Sequence, residues 1–112
     1  MARFVKGDVV IVPFPFSDLS QNKRRPALVI ANLQGDDLIL CQITSQSLSD
    51  SYAIILNDND FETGSLNKPS NIRPNRLFTA DQSIILSVAD HLKPTKTSEA
   101  IAKIIEIINK VS

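Results

Sequence analysis

The chain has 112 residues, 43% hydrophobic and 21% charged, which is the size and composition of one folded domain rather than of a disordered segment. Its 12 basic and 12 acidic residues give a formal net charge of zero, which excludes a protein held to nucleic acid by bulk positive charge. No apolar run approaches the ~20 residues of a membrane-spanning helix, and no signal-peptide stretch opens the chain. We therefore expect a single cytoplasmic domain over residues 1–112.

The residue counts also limit the chemistry that the chain can support. One cysteine, Cys41, and one histidine, His91, cannot form an internal disulfide, a zinc site of their own or a two-histidine acid–base pair. The acidic stretch that begins at Asp58 lacks calcium-loop spacing, because its sixth residue is Thr63 and its twelfth is Pro69. We therefore expect neither a metal nor another cofactor.

The first half of the chain predicts three strands, at residues 7–13, 25–32 and 38–44. The first two are apolar on both faces, so both faces should be covered. Pro13 and Pro15 should end the first strand because proline lacks a ladder donor. Residues 14–24 then form a loop, and the turn sequence at residues 34–37 joins the second and third strands in a hairpin.

The third predicted strand separates two sets of side chains. Alternation places one set on one face and the other set on the opposite face, where Cys41 is expected to be a small core residue. The first set is Leu38, Leu40, Gln42 and Thr44, and the second is Ile39, Cys41 and Ile43.

The second half of the chain predicts short strands followed by a helix. We expect strands at residues 52–56, 72–79 and 84–92, and a long loop at residues 57–71 of the kind that often carries function in a small domain. Apolar residues then recur every three or four positions, which predicts an amphipathic helix over about residues 96–111. Thr95 or Thr97 should cap it, with Glu99 in the first turn. The apolar residues are Ile101, Ile104, Ile105, Ile108 and Val111.

This order of elements predicts a mainly-β fold with one C-terminal α-helix. Strands followed by a single helix favour a small, strongly bent antiparallel sheet or barrel over about residues 5–92, with the helix appended. Apolar residues on both faces of the strands at residues 9–12 and 28–30 are hard to bury in so short a chain, so we expect a homodimer to cover the surplus face.

Two basic clusters mark where phosphates could bind. Lys23, Arg24 and Arg25 precede the second strand, and a later group of Lys68, Arg73 and Arg76 borders the long loop. Arg25 stands directly before a buried strand, and an arginine forks onto phosphate oxygens. In the predicted hairpin, Arg25 and Thr44 lie at strand ends that come side by side, so a fixed cation and a hydroxyl should be close together.

Three stretches of the sequence resemble one known family. Residues 7–20, GDVVIVPFPFSDLS, with residues 23–30, KRRPALVI, resemble the first block of the MazF/PemK toxin family. Residues 42–46, QITSQ, and residues 69–79 resemble later blocks in the same order. The resemblance implies an SH3-like barrel with a C-terminal helix, usually a homodimer. It also implies a type II toxin that cleaves single-stranded RNA at short sequences without a metal, until a cognate antitoxin blocks it.

The resemblance also implies roles for individual residues. Arg25, in the Arg-Pro dipeptide, and Thr44 match the family's catalytic arginine and hydroxyl residue. His91 lies far from Arg25 in sequence and is expected at a surface or interface rather than in catalysis. RNA binding is then expected from the basic clusters and from the residues after Thr44, namely Lys23, Arg24, Ser45, Gln46, Lys68, Arg73 and Arg76.

Two alternatives to the nuclease remain open at this stage. Residues 14–24 lack the glycines that many family members carry there, so an RNA sequence preference does not transfer. The superfamily also contains toxins of the same barrel that poison DNA gyrase, so the fold alone does not imply RNA cleavage. A barrel that binds such a protein target, or a non-catalytic RNA- or peptide-binding module, would fit the same elements.

Overall fold

The computed structural model describes residues 3–14, 23–45, 51–64, 66 and 68–110. Within those residues the chain forms six strands, two short 3₁₀ turns and one α-helix, which is the mainly-β class with a C-terminal helix that the sequence predicts. The strands are β1 (Asp8–Phe14), β2 (Lys23–Asn32), β3 (Asp37–Thr44), β4 (Ile54–Leu56), β5 (Ser70–Asp81) and β6 (Ser87–His91), the 3₁₀ turns are Asp58–Asp60 and Gln82–Ile84, and the helix is α1 (Pro94–Asn109).

The strands form one antiparallel sheet in the order β4-β5-β3-β2-β1-β6. The segment after β4 reaches the end of β6, where Phe61 and Leu92 form an isolated bridge. Two backbone hydrogen bonds flank it, from the Glu62 N–H to the His91 carbonyl at 2.8 Å and from the Lys93 N–H to the Asp60 carbonyl at 2.9 Å. These contacts draw the two outer strands together, so the sheet curls into a half-barrel.

Pro13 lies inside β1 rather than ending it. β1 has β2 on one side and β6 on the other, but β6 pairs with it only from Asp8 to Ile11. The Ile11 carbonyl accepts from the Leu86 N–H at 2.9 Å, so the backbone groups of Ile11 point to the β6 side of β1. Because this direction alternates along a strand, the backbone groups of Pro13, two residues on, point to that side too. No strand lies there among the described residues, and the missing N–H of proline leaves no β6 ladder bond broken.

The predicted loop at residues 14–24 is shorter than expected, because strand pairing reaches into it from both sides. Phe14 pairs with Lys23 and Pro13 with Arg24, so β2 begins two residues before its predicted start. Residues 15–22 of the predicted loop lie outside the described residues.

Both faces of the sheet are buried within one copy of the chain. Val9, Leu28 and Cys41 contribute to one core, under Ala100 of α1. Val10, Val12 and Val29 contribute to the other, against which Phe78 and Ile85 pack. These six strand residues have no exposed surface, whereas Ile11 and Ile30 in the same runs are partly exposed. The curled sheet therefore covers most of residues 9–12 and 28–30 itself, and these residues leave little apolar surface for a second copy to cover.

The helix begins earlier than predicted and without a threonine cap. Lys93 is the N-cap residue and Pro94 occupies the first turn, where proline's fixed φ suits the helix. Thr97 lies one turn further on and is buried, and its Oγ has no hydrogen-bond partner among the described residues. The first turn holds no acidic residue, so Glu99 does not complement the helix dipole there as expected.

The buried face of α1 also differs from the predicted apolar stripe. Its buried residues are Thr97, Ala100 and Ile104. Ile105 and Ile108, which we expected to be in the core, are 52% and 69% exposed. Within the part of the chain that the structure describes, no helix is long and apolar enough to cross a membrane.

The later strands differ from prediction at their ends. β4 is confined to three residues, and β5 extends from Ser70 to Asp81 instead of residues 72–79. The predicted strand at residues 84–92 is shortened to Ser87–His91, because the 3₁₀ turn Gln82–Ile84 includes its first residue. The first part of the long loop holds the 3₁₀ turn Asp58–Asp60 and the bridge at Phe61, and backbone hydrogen bonds tie this part to β6 and to the start of α1.

Candidate functional site

A cavity of about 480 Å³ lies where β1 and β3 end and β2 and β5 begin. We call it the cationic cleft, because three cations reach it while no acidic residue lines it in the described part of the chain. Its polar groups are cations and hydroxyls, which suit an anionic ligand. The lining residues are Ile11, Arg24, Arg25, Pro26, Ile43, Ser45, Leu66, Lys68 and Ser70.

Strand pairing with β1 fixes the position of Arg25. Arg25 lies opposite Val12, and Pro26 lies opposite Ile11. The Ile11 carbonyl accepts from the N–H of Leu86, just before β6, and so points away from β2. Pro26, opposite Ile11, therefore has no hydrogen bond to donate to β1, and proline fits there. This pairing holds the Arg-Pro dipeptide at the rim of the core, where the Arg25 side chain is half-buried.

Thr44 ends β3 close to this rim. β2 and β3 pair as far as Ala27 and Gln42, and Arg25 and Thr44 each lie two residues beyond that pair, at the same end and on the same face of the sheet. Thr44 pairs with Asn71 of β5 on its other side. Its exposure is only 4%, and it is not among the residues that line the cleft.

Lys68 and Ser70 form the opposite wall of the cationic cleft. The Ser70 hydroxyl donates to the Lys68 carbonyl at 2.9 Å, which holds the backbone at the start of β5. The Lys68 side chain is exposed and forms no ion pair with the described residues. Ser45, directly after Thr44, is exposed at the third side of the cleft.

The remaining predicted RNA-binding residues do not line the cleft. Residues 73–76 bulge out of β5, because Ile72 pairs with Ile43 and the next pair is Leu77 with Cys41. Arg73 and Arg76 belong to this bulge and are not among the residues that line the cleft. Lys23 begins β2, but its side chain is outside what the structure describes, and Gln46 also lies outside the described residues.

Cys41 is confirmed as a core residue. It is fully buried, and its Sγ donates to the Arg73 carbonyl at 3.0 Å. Burial raises the pKa of the Cys41 thiol to about 12, although the backbone hydrogen bond with Arg73 acts in the opposite direction. The thiol therefore stays protonated near neutral pH and is a poor nucleophile.

His91 lies at the other end of β1 from the cationic cleft. Its Nδ1 is 2.8 Å from Asp8 Oδ1, while Asp8 Oδ2 accepts from the Val5 N–H at 2.9 Å. Asp8 pairs with His91 at the start of β1, whereas Arg25 lies four residues along that strand, opposite Val12. Four residues span ~13 Å of strand, which keeps the imidazole away from the cleft.

Sequence reasoning missed the apolar part of the cleft. Ile11 and Pro26 lie next to the paired residues Val12 and Arg25, and Ile43 directly precedes Thr44. Counting residues from the hairpin turn, which placed Arg25 beside Thr44, could therefore have included these three. Leu66 gave no periodic signal, because it belongs to an irregular segment. Among the described residues, no group of three His, Cys, Asp or Glu side chains is placed to hold a metal ion.

The comparisons with known proteins agree with this fold. A model of the family described as PemK-like, MazF-like toxin of type II toxin-antitoxin system matches residues 5–108. A MazF structure from Deinococcus radiodurans is 18% identical, with a TM-score of 0.76 over 98% of this chain and 100% of that one. An endoribonuclease in complex with its cognate antitoxin, from Mycobacterial species, is 11% identical, with a TM-score of 0.74 over 97% of this chain and 98% of that one.

A third structure, the Mycobacterium tuberculosis toxin MazF-mt6, is 16% identical, with a TM-score of 0.67 over 89% of this chain and 93% of that one. No curated protein matches the chain in sequence. At such low identities the structures establish a shared fold, whereas the family model matches most of the chain. The match confirms the resemblance seen in the sequence: the chain belongs to the PemK-like, MazF-like family of toxins from type II toxin–antitoxin systems.

Proposed function

We propose that this toxin is a sequence-specific endoribonuclease that cleaves single-stranded RNA, including messenger RNA in the cytoplasm, without a metal ion. The observation that carries the proposal is the cationic cleft, where Arg24, Arg25 and Lys68 converge with Ser45 from separate stretches of the chain. Two of the similar Mycobacterial structures are described as endoribonucleases, which supports the same activity here.

Arg25 and Thr44 are the proposed catalytic residues. In RNA cleavage of this kind the 2′-hydroxyl attacks the adjacent phosphorus, the bond to the 5′-oxygen breaks, and a 2′,3′-cyclic phosphate and a 5′-hydroxyl form. The 2′-oxygen loses one proton and the 5′-oxygen gains one, so the step is proton-neutral. Negative charge grows on the non-bridging oxygens, where the guanidinium of Arg25 would donate two hydrogen bonds.

Thr44 has the complementary role of orientation. The side chain of Thr44 is 4% exposed and therefore already restricted, so it would lose little freedom on hydrogen-bonding the phosphate or the 2′-hydroxyl. An arginine side chain is a poor general base in proteins because it does not give up its proton, so the proposed role of Arg25 is to act through its charge.

The other cations extend the track for the RNA backbone. Arg24, Ser45 and Lys68 would contact phosphates in the cleft itself. The proposed outer contacts are those of Lys23, Gln46, Arg73 and Arg76.

The proposed protein partner is a cognate antitoxin. One similar structure is an endoribonuclease bound to its cognate antitoxin, and another is a MazE-MazF complex from Deinococcus radiodurans. An acidic, extended segment would match the charge of the cationic cleft and would exclude RNA from it. Co-expression with the small open reading frame beside the gene should restore growth of cells that express this protein, and failure of every adjacent frame would contradict the pairing.

We also propose a homodimer, through a surface other than the one first expected. Val88 of β6 is exposed, as are Ile84 and Leu86 in the segment just before it, and β6 is an edge strand of the sheet. An edge with apolar side chains favours pairing with a second copy. Light scattering should give twice the 12.3 kDa chain mass, and Val88→Lys should shift it towards the monomer, whereas a wild-type monomer at micromolar concentration would contradict the dimer.

The direct test of the nuclease is incubation of purified protein with a long RNA in excess EDTA, followed by sequencing of the fragment ends. We expect cuts at one short sequence, with cyclic phosphate at the new 3′ ends. Intact RNA in both EDTA and magnesium, together with growth arrest in cells, would instead favour a toxin that binds a protein target such as DNA gyrase. Cleavage that EDTA abolishes would contradict the metal-independent mechanism.

A further inference from the structure

A second cavity, also of about 480 Å³, adjoins the cationic cleft. We call it the side compartment. The two cavities share Leu66, Lys68 and Ser70, so they meet along the start of β5. The side compartment adds Asn57 and Asp58 to this common wall, and its volume is within the range of roughly 300–1,000 Å³ that small-ligand pockets occupy.

The side compartment lies a short way across the sheet from Arg25. Leu56 of β4 pairs with Ser70 of β5, and Asn57 and Asp58 follow directly. β4 is three strand positions from β2, through β5 and β3, which corresponds to ~14 Å at the usual strand spacing. A nucleotide in this compartment would therefore be close in the RNA to a phosphate bound at Arg25.

The chemistry of the side compartment differs from that of the cationic cleft. Its floor is apolar, with Leu56 and Phe61 each only 5% exposed. Asp58 brings a carboxylate to its exposed side, which repels phosphate and accepts hydrogen bonds but donates none. An apolar floor with an acceptor at the edge suits the flat face and the N–H groups of a nucleobase.

Asp58 is available for this contact, in contrast to its neighbour Asp60. Asp60 Oδ2 accepts from the Asn57 N–H at 2.7 Å and lies 3.6 Å from Lys96 Nζ, so Asp60 is committed to the 3₁₀ turn and to α1. Among the described residues, no ion pair involves the Asp58 carboxylate. The turn fixed by Asp60 thus presents Asp58 to the compartment.

We propose that the side compartment binds the base of a nucleotide next to the scissile phosphate and selects guanine there. Guanine presents N1–H and N2–H side by side on its Watson–Crick edge, and the two oxygens of Asp58 accept both. Cytosine and adenine offer one amino group beside an acceptor nitrogen, which the carboxylate repels. Asn57 at the same rim hydrogen-bonds the base or its ribose. This inference rests on the proposed nuclease function, because it identifies part of that enzyme's substrate.

Cleavage of a randomised RNA library by wild type, Asp58→Asn and Glu62→Gln tests the proposal. The wild type should enrich guanine at one position near the cut, and Asp58→Asn should reduce that enrichment about 10- to 100-fold, as loss of a bidentate base contact does. Total cleavage of the library should change much less. Glu62→Gln removes the same charge from an exposed position outside the compartment and should keep the wild-type preference.

A binding measurement separates this inference from the nuclease proposal. Fluorescence anisotropy with short RNAs that differ in one guanine should show discrimination by the wild type and its loss in Asp58→Asn. If RNA is cut but no guanine preference appears near the cut, or Asp58→Asn retains it, the guanine site is refuted and the nuclease stands. If RNA is not cut but binding discriminates guanine through Asp58, the nuclease fails and the site is supported.

Discussion

Replacement of Arg25 separates the electrostatic attraction of RNA from the chemistry of its cleavage. Arg25 is half-buried at the rim of the core, opposite Val12, and lines the cationic cleft. If it donates to the non-bridging oxygens in the transition state, Arg25→Ala should lower kcat by about 10²–10³-fold, which is the usual effect of losing one preorganised donor, about 2.7–4 kcal/mol. Arg25→Lys should recover only part of the rate, because an ammonium does not fork onto two oxygens.

The salt dependence of binding supplies the second half of this prediction. Among the described residues, three cations line the cleft: Arg24, Arg25 and Lys68. Each cation that contacts a phosphate of single-stranded RNA contributes about −0.7 to the slope of log K against log salt, so these three account for a slope of about −2 despite the zero net charge. Arg25→Ala should reduce the magnitude of the slope by about 0.7, whereas Arg25→Lys should leave it unchanged.

The assay is single-turnover cleavage of one RNA in EDTA, with binding measured over a range of salt concentrations. Arg3→Ala is the matched control, because it removes a guanidinium that lies over the Phe4 ring before β1, at the end of the strand away from the cleft. The control should cut at the wild-type rate. The reasoning would be refuted if Arg25→Lys matched the wild-type rate, or if Arg25→Ala lost binding and rate by the same factor.

Three further substitutions test other parts of the structure. Thr44→Val should slow cleavage about 10²-fold with an unchanged circular dichroism spectrum, and Thr44→Ser should not, because only the hydroxyl orients the RNA. Cys41 has a folded pKa of about 12 against an ordinary value of 9.0. The contribution of the Cys41 thiol to stability is therefore complete below pH 9 and is lost as the pH rises toward 12. Over that range the free energy of unfolding of the wild type, measured by denaturation, should fall by up to about 1.4 kcal/mol per pH unit, and this fall should be absent in Cys41→Ala. Thr97→Val should raise the free energy of unfolding by about 1 kcal/mol, because it removes a buried hydroxyl that has no partner among the described residues. A lower free energy of unfolding than that of the wild type, measured by urea denaturation, would contradict this.

The sequence predicted the strands well where burial alone determined them. The alternation from Leu38 to Ile43 separates the two cores as the structure does, because a side chain in a strand reaches only one face of the sheet. Strand ends were less predictable: Lys23 and Arg24 extend β2 through backbone pairing with β1, and polar side chains give no apolar signal for such pairing. The pairing of β1 with β6 joins Asp8 to His91, too far apart in sequence for a local pattern to indicate it.

The start of the helix and part of the candidate site also depend on contacts that a local sequence pattern does not indicate. Thr97 has the residue type of an N-cap, yet it is turned into the core, because Pro94 sets where the helix begins. Arg25 and Thr44 were joined correctly to one end of the hairpin by counting residues from its turn. The side compartment was not foreseen, because Asp58 reaches it through the pairing of β4 with β5 and through a short turn held by Asp60.

The position of β1 between β2 and β6 has a consequence for how the toxin folds during its synthesis. β1 and β6 are separated by the 72 residues between Phe14 and Ser87, which a ribosome adds in about 4–14 s. β1, β2 and β3 can pair first as a meander, but the first strand keeps an open edge until β6 emerges, and the bridge at Leu92 follows only then. Contacts between such distant segments close slowly, so the half-barrel is completed last and the nascent chain spends seconds as an incomplete, aggregation-prone sheet.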